Sequence, residues 1–141
     1  MTELFLGTYI WASFAIAIIL FIYPFQLIIG DVAQDKMGRK AGTPILGGPG
    51  DFGFRAFRAA SNSLENAPFF IFLILMSVFV QASPTWTNVL AAAALASRLI
   101  HMVAYYANQP NIRGLSWLFG LLVMLALSVS LIWAMISNGS F

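Results

Sequence analysis

Arg55, Arg58, Asn62 and Glu65 are spaced three, four and three, which places two cations, an amide and a carboxylate on one face of a helix. Asn66 flanks that face, and the stripe runs directly into the apolar string APFFIFLILM. A charged side chain in mid-membrane costs about 2.5–3.5 kcal/mol on insertion scales, so groups kept there have a reason to be there. A second stripe, Arg98, His101 and Tyr105, is spaced three and four and also shares one face. Arg98 needs a partner at this depth, and Glu65 is the carboxylate at comparable depth. The two stripes are therefore expected to face each other, with Arg98 near Glu65. A buried ion pair that only fixes helix register would account for those two residues. It would leave Arg58, Asn62, His101 and Tyr105 without a reason.

Together with Arg113, the stripes set three guanidinium groups (Arg58, Arg98 and Arg113) against Glu65. That balance suits an anion, best of all one with two carboxylates and one amine. Planar guanidinium forks match carboxylates, Glu65 can hold an ammonium, and Asn62 and Tyr105 add neutral hydrogen bonds. A site open to the cytoplasm on one side and to lipid on the other suits a water-soluble anion meeting an apolar co-substrate.

The elements that position these residues are membrane helices. The chain has 141 residues, 60% hydrophobic and 9% charged, with mean hydropathy +0.86. A soluble domain carries roughly 25% charged residues, so this one is expected in lipid. Four spans are expected, roughly 4–30, 52–82, 86–108 and 113–137, forming a single all-α membrane domain over 1–141. Each is long enough for the ~20 residues that cross a bilayer. The first lacks a basic segment before it and a small-residue cleavage site after it, so it reads as a span and not as a cleaved leader. All seven Lys and Arg residues lie in or beside the first and third connections. The positive-inside rule then puts loops one and three in the cytoplasm and both termini outside.

Other features read as architecture. The first loop, 31–51, holds the string GGPG, but no strand precedes it and no Lys-Ser/Thr pair follows, so it reads as a connector and not as a phosphate cradle. Asp51 is expected to cap the second helix through its side chain. Pro24 and Pro68 fall inside spans, where kinks are tolerated. Ala91 to Ala94 and Ala96 form an expected packing face, and Trp86 and Trp133 suit the interfacial belt. Asn138-Gly139-Ser140 matches a glycosylation sequon by chance position only. There is no Cys and one His, which argues against disulfides, thiol nucleophiles and a zinc site. A net charge of +2 gives no reason to expect nucleic-acid binding.

The segment GGPGDFGFRAFRAASNSLENAPFF resembles the signature of the MAPEG family, the membrane-associated proteins in eicosanoid and glutathione metabolism. Its pattern Arg-x-x-Arg-Ala-x-x-Asn-x-x-Glu, then Asn and Pro, corresponds here to Arg55, Arg58, Ala59, Asn62, Glu65, Asn66 and Pro68. The string ASRLIHMVAYYANQPNIRG is similar to the family's second block, with Arg98, Tyr105 and Arg113 in register.

That resemblance implies a four-helix subunit, a homotrimer, and glutathione bound between subunits in the cytoplasmic half. Arg58, Asn62, Glu65, Arg98, His101 and Tyr105 would hold the tripeptide, and Arg113 would stabilise its thiolate. The implied activity is transfer to, or reduction of, lipophilic electrophiles and hydroperoxides. Gly114 replaces a Ser found beside the catalytic Arg of prostaglandin-E synthase, and Ser116 substitutes poorly by spacing; this argues against that isomerase mechanism. Lys36 or Arg39 is a further candidate for assisting the ligand. Short loops suit a bacterial inner membrane. Two alternatives stay open: a non-catalytic protein that binds or presents lipid, and an accessory subunit of a membrane complex.

Overall fold

The computed structural model describes residues 3 and 7–139. Four antiparallel helices follow one another: α1 (Ile10–Lys36), α2 (Phe52–Phe79), α3 (Pro84–Tyr106) and α4 (Pro110–Asn138). Each is long and apolar enough to span a bilayer, and no strand occurs among the described residues. Residues 4–6 of the first expected span, and Ser140 of the sequon, lie outside the described residues.

The expected spans are all present, with shifted ends. The first was expected to finish at residue 30, but α1 continues to Lys36. Asp31, Gln34, Asp35 and Lys36 fit a helix that leaves the lipid still coiled, because charge ends a membrane span without ending a helix. What stops α1 is backbone geometry. Gly38 takes φ +87°, its N–H bonds Asp35 O at 2.8 Å, and the Arg39 N–H bonds Gln34 O at 3.1 Å. This 6→1 and 5→2 pair is a Schellman stop. The same pair closes α2 around Gln81 (φ 54°) and α3 around Asn108 (φ 54°).

Alanines make up most of the buried apolar positions and most large side chains face outward, Tyr9, Phe70, Ile74 and Leu127 being buried exceptions. Ala12, Ala15, Ala56, Ala59, Ala91 and Ala94 are fully buried, while Phe21, Phe69, Phe72 and Phe79 are exposed. This inverts a soluble bundle: lipid already solvates aromatic side chains, so association comes from close backbone approach. At Gly30 an added Cβ would lie 3.0 Å from Phe57 Cα, which brings α1 and α2 into backbone contact. The expected Ala face on α3 divides accordingly, with Ala91 and Ala94 buried and Ala92 and Ala96 exposed. Pro24 and Pro68 lie inside continuous α1 and α2.

The two ends of the bundle are tied differently. At one end the Tyr9 hydroxyl donates to Ala82 O, and Asn138 Nδ2 donates to Val80 O at 3.0 Å. Asn88 of α3 serves the start of α1, donating to Thr8 O at 2.9 Å and accepting from Ala12 N–H at 3.0 Å. Exposed Trp86 and Trp133 lie at this end. The opposite end gathers the first and third connections and both polar stripes.

Candidate functional site

Arg55 organises the polar end. Buried at the start of α2, it donates from Nε to Tyr105 O (3.0 Å) and from Nη1 to Pro49 O (3.0 Å) and Gly50 O (2.6 Å). One guanidinium thus binds the end of the first loop to the last turn of α3. Asp51 sits at the N-cap position, but its side chain makes no forward cap. Instead its Oδ2 accepts from Gly48 N–H at 2.8 Å, closing the GGPG turn. The expected capping role is corrected on this point: the carboxylate is satisfied one turn early.

The two stripes meet. Arg98 Nη2 donates to Asn62 Oδ1 at 2.7 Å, joining α3 to α2. The expected Arg98–Glu65 pairing does not form; the one ion pair among the described residues is Arg39–Asp31, at 3.2 Å. Three residues along a helix turn the side chain by about 60° from its predecessor. Asn62 therefore faces α3 while Glu65 points outward and is exposed. Spacing defined the face correctly but not which member of it crosses to the neighbouring helix.

The second block is assembled around Tyr105. The Arg113 guanidinium stands over the Tyr105 ring, 4.7 Å from its centroid, and the His101 ring meets Tyr105 edge-on at 5.1 Å. His101 is buried, and its Nδ1 lies 3.0 Å from Arg113 O and 3.1 Å from Ser116 Oγ. A carbonyl cannot donate, so Nδ1 carries the proton that reaches Arg113 O. The ring thereby ties α3 to the first turn of α4, beside the residue expected to act on a thiol. Ser116 is buried and donates to Arg113 O at 3.0 Å, so its hydroxyl is engaged inward. Gly114 faces open space.

Arg58 is half-buried and Glu65 exposed, and among the described residues neither has a hydrogen-bond or ionic partner. These two opposite charges lie on the helix face that also carries Asn62, the residue bonded to Arg98. Lys36 and Arg39 lie across the first loop. Arg39 is committed there, donating to Thr43 O (3.0 Å) and Asp31 (3.2 Å), with its guanidinium 4.8 Å from the Phe57 ring centroid.

Reading charges alone passed over two glutamines of α1. Gln34 is fully buried and clasps Leu46, donating to its carbonyl at 3.1 Å and accepting its N–H at 2.7 Å. Gln26 is buried and accepts from Ser63 Oγ at 2.8 Å. The signal available for both was an amide inside or next to an otherwise apolar run.

The sequence model of the MAPEG family matches residues 9–133. The chain belongs to the MAPEG family. Its match covers most of the chain and includes both polar stripes and Arg113. No curated protein matches the sequence. MAPEG membership agrees with the four-helix, multi-pass architecture, and the family includes glutathione transferases and peroxidases as well as non-catalytic members. Among the described residues no cluster of His, Asp or Glu is able to hold a metal.

Proposed function

We propose that this MAPEG protein is a glutathione-dependent transferase or peroxidase acting on lipophilic electrophiles or hydroperoxides. The observation that carries this reading is the juxtaposition of Arg98 bonded to Asn62 and Arg113 stacked on Tyr105, with Arg58 and Glu65, unpaired among the described residues, on the helix face of Asn62. Glutathione has two carboxylates, one ammonium and a thiol. The residues fit that set: Arg58 and Arg98 supply guanidinium forks, Glu65 an ammonium partner, and Asn62 and Tyr105 neutral hydrogen bonds. His101 contributes by holding the carbonyl of Arg113, which fixes where α4 begins.

When bound, glutathione supplies the thiol whose deprotonated form is the nucleophile toward an electrophile or hydroperoxide in the bilayer. Arg113 acts on that thiol as a nearby cation, which lowers a thiol pKa and raises the nucleophile's population at neutral pH. Its stacking on Tyr105 holds the guanidinium in place before the ligand arrives, so little reorganisation remains for the reaction. The unpaired charges of Arg58 and Glu65 support a site completed by a neighbouring subunit in a homotrimer. The concentration of Lys and Arg at this end supports its placement in the cytoplasm, with both termini outside, and the short loops suit a bacterial inner membrane.

Calorimetric titration of the detergent-solubilised protein with glutathione tests the binding set. Arg58→Ala and Glu65→Ala are each expected to weaken binding at least tenfold, as for loss of one charge-assisted hydrogen bond. Absence of binding by the wild-type protein at millimolar glutathione would overturn the reading.

A further inference from the structure

A groove runs between α3 and α4 at the end of the bundle away from the two polar stripes. Its apolar part, about 500 Å³, is walled by Trp86 and Leu90 of α3 and by Leu125, Val129, Ser130 and Trp133 of α4. A second hollow of about 390 Å³ lies between the turn joining α2 to α3 and the end of α4. The two share Trp86, Ser130 and Trp133 as walls, so one opens into the other. Sites for small ligands commonly enclose roughly 300–1,000 Å³. From Leu125 to Asn138, α4 rises about 20 Å at 1.5 Å per residue. That is about one leaflet of a bilayer measuring ~40–45 Å with its headgroups.

The groove is apolar in its depth and polar at its mouth. Gln81, Ser83, Ser137 and Asn138 line the mouth, and no Lys, Arg, Asp or Glu does. Asn138 uses Nδ2 on Val80 O, and Ser137 donates to Ala134 O, which leaves both side-chain oxygens free to accept. The side chains of Gln81 and Ser83 make no hydrogen bond among the described residues and are exposed. Farther in, Ser130 departs from the other serines of the spans. Ser77 and Ser128 bond the carbonyl four residues back, at 2.8 and 2.9 Å, which satisfies a hydroxyl inside a membrane helix. Ser130 makes no such bond among the described residues, and it stands half-buried in the groove wall. A hydroxyl held in an apolar wall is costly unless the occupant of the groove bonds it.

We propose that this groove binds a lipid amphiphile with one acyl chain and an uncharged, hydroxyl-bearing head, of the monoacylglycerol type. The chain fills the apolar part between Trp86 and Trp133, Ser130 meets the polar oxygen nearest the chain, and the mouth holds the head. Hydroxyls both donate and accept, as this mixed set of amides and hydroxyls requires. A phosphate or carboxylate would meet no cation, since the Lys and Arg residues lie in or beside the first and third connections. From Arg113 to Leu125 the helix rises about 18 Å, so the amphiphile is held out of reach of a thiolate at Arg113. The site stands on the groove and its free polar groups, and not on the glutathione reading.

The test is fluorescence quenching in micelles by brominated amphiphiles, in a Trp11→Phe/Trp117→Phe background where only Trp86 and Trp133 emit. The probes are a brominated monoacylglycerol, the corresponding ionised fatty acid and a brominated phosphatidylglycerol. Saturable quenching by the monoacylglycerol at low mole fraction, with weak and unsaturated quenching by the two anionic probes, is the expected result. Ala126→Phe, which puts a ring into the groove, should abolish saturation. Ser130→Ala should weaken binding about three- to tenfold, the range for one neutral hydrogen bond, at an unchanged melting temperature. If Ala126→Phe does not fold, Ser130→Ala carries the comparison. Quenching that rises linearly and equally for all three probes would mean ordinary lipid contact and overturns the proposal. Saturable binding of the anionic probes at equal affinity, or unchanged affinity in Ser130→Ala, overturns it as well. Val129→Cys introduces a single thiol into a chain that has none. A disulfide-linked dimer of that variant in membranes would put a second copy over the groove, which also overturns the proposal.

Discussion

Arg55 offers the most decisive perturbation of the architecture behind the site. Its guanidinium makes three hydrogen bonds to main-chain carbonyls, those of Pro49, Gly50 and Tyr105, at 3.0, 2.6 and 3.0 Å. A hydrogen bond to a charged group contributes about 1.5–3 kcal/mol. The three share one side chain and are not additive, so Arg55→Met is expected to cost about 3–4 kcal/mol. Concentrated on the junction of loop and α3, that loss raises the population of a locally open first loop by roughly a hundredfold or more. Trypsin reports it directly, because Lys36, Arg39 and Lys40 lie in or next to the first loop. Limited proteolysis of Arg55→Met should cut the 36–40 region far faster than wild type, and the melting temperature should fall. Arg55→Lys should lie between the two, since one ammonium cannot span three carbonyls in the same fork. Unchanged cleavage and melting in Arg55→Met would refute the assignment of Arg55 as the clasp.

Further outcomes follow from single contacts. Asn88→Ala removes both side-chain bonds to the start of α1 and should lower unfolding free energy by about 1–2 kcal/mol, read by denaturant titration in micelles. Gly30→Val should destabilise by about 1–3 kcal/mol, because the nearest atoms to its new Cβ belong to the Phe57 backbone and cannot rotate away. Gly114→Ser should leave melting unchanged, since no atom lies within 4 Å of the added Cβ, and it provides the hydroxyl needed to test for prostaglandin-type isomerase turnover. Gln81→Gly should stabilise by about 0.5–1 kcal/mol, as glycine accepts φ 54° without a Cβ penalty.

The spans were legible because a bilayer demands long apolar runs, and the helical face of each polar stripe was legible because 3.6-residue periodicity is a local property. The approach of the stripes followed from the cost of an unpaired Arg98 in lipid. Its partner did not follow, since the rotation and stagger of α2 against α3 are set by packing that periodicity does not encode; Asn62, and not Glu65, crosses the gap. The Asp51 side chain escaped for a similar reason. Two sets of N–H donors compete for the carboxylate of a residue preceding a helix, and the tight GGPG turn offers the one it takes, Gly48 N–H. The inward turn of His101 and Ser116 toward the Arg113 carbonyl depends on where α4 starts, a tertiary fact. Gln26 and Gln34 were readable as amides of an apolar or emerging helix, but a reading keyed to charge gave them no weight.

The central claim is that Arg113 activates a bound thiol. The direct measurement is ultraviolet thiolate absorbance during glutathione titration of the purified protein and of Arg113→Ala. A thiolate signal that saturates with binding in wild type and disappears in Arg113→Ala, with glutathione still bound, is the predicted result. Binding with no thiolate signal in wild type, or a signal of equal size in Arg113→Ala, would contradict it.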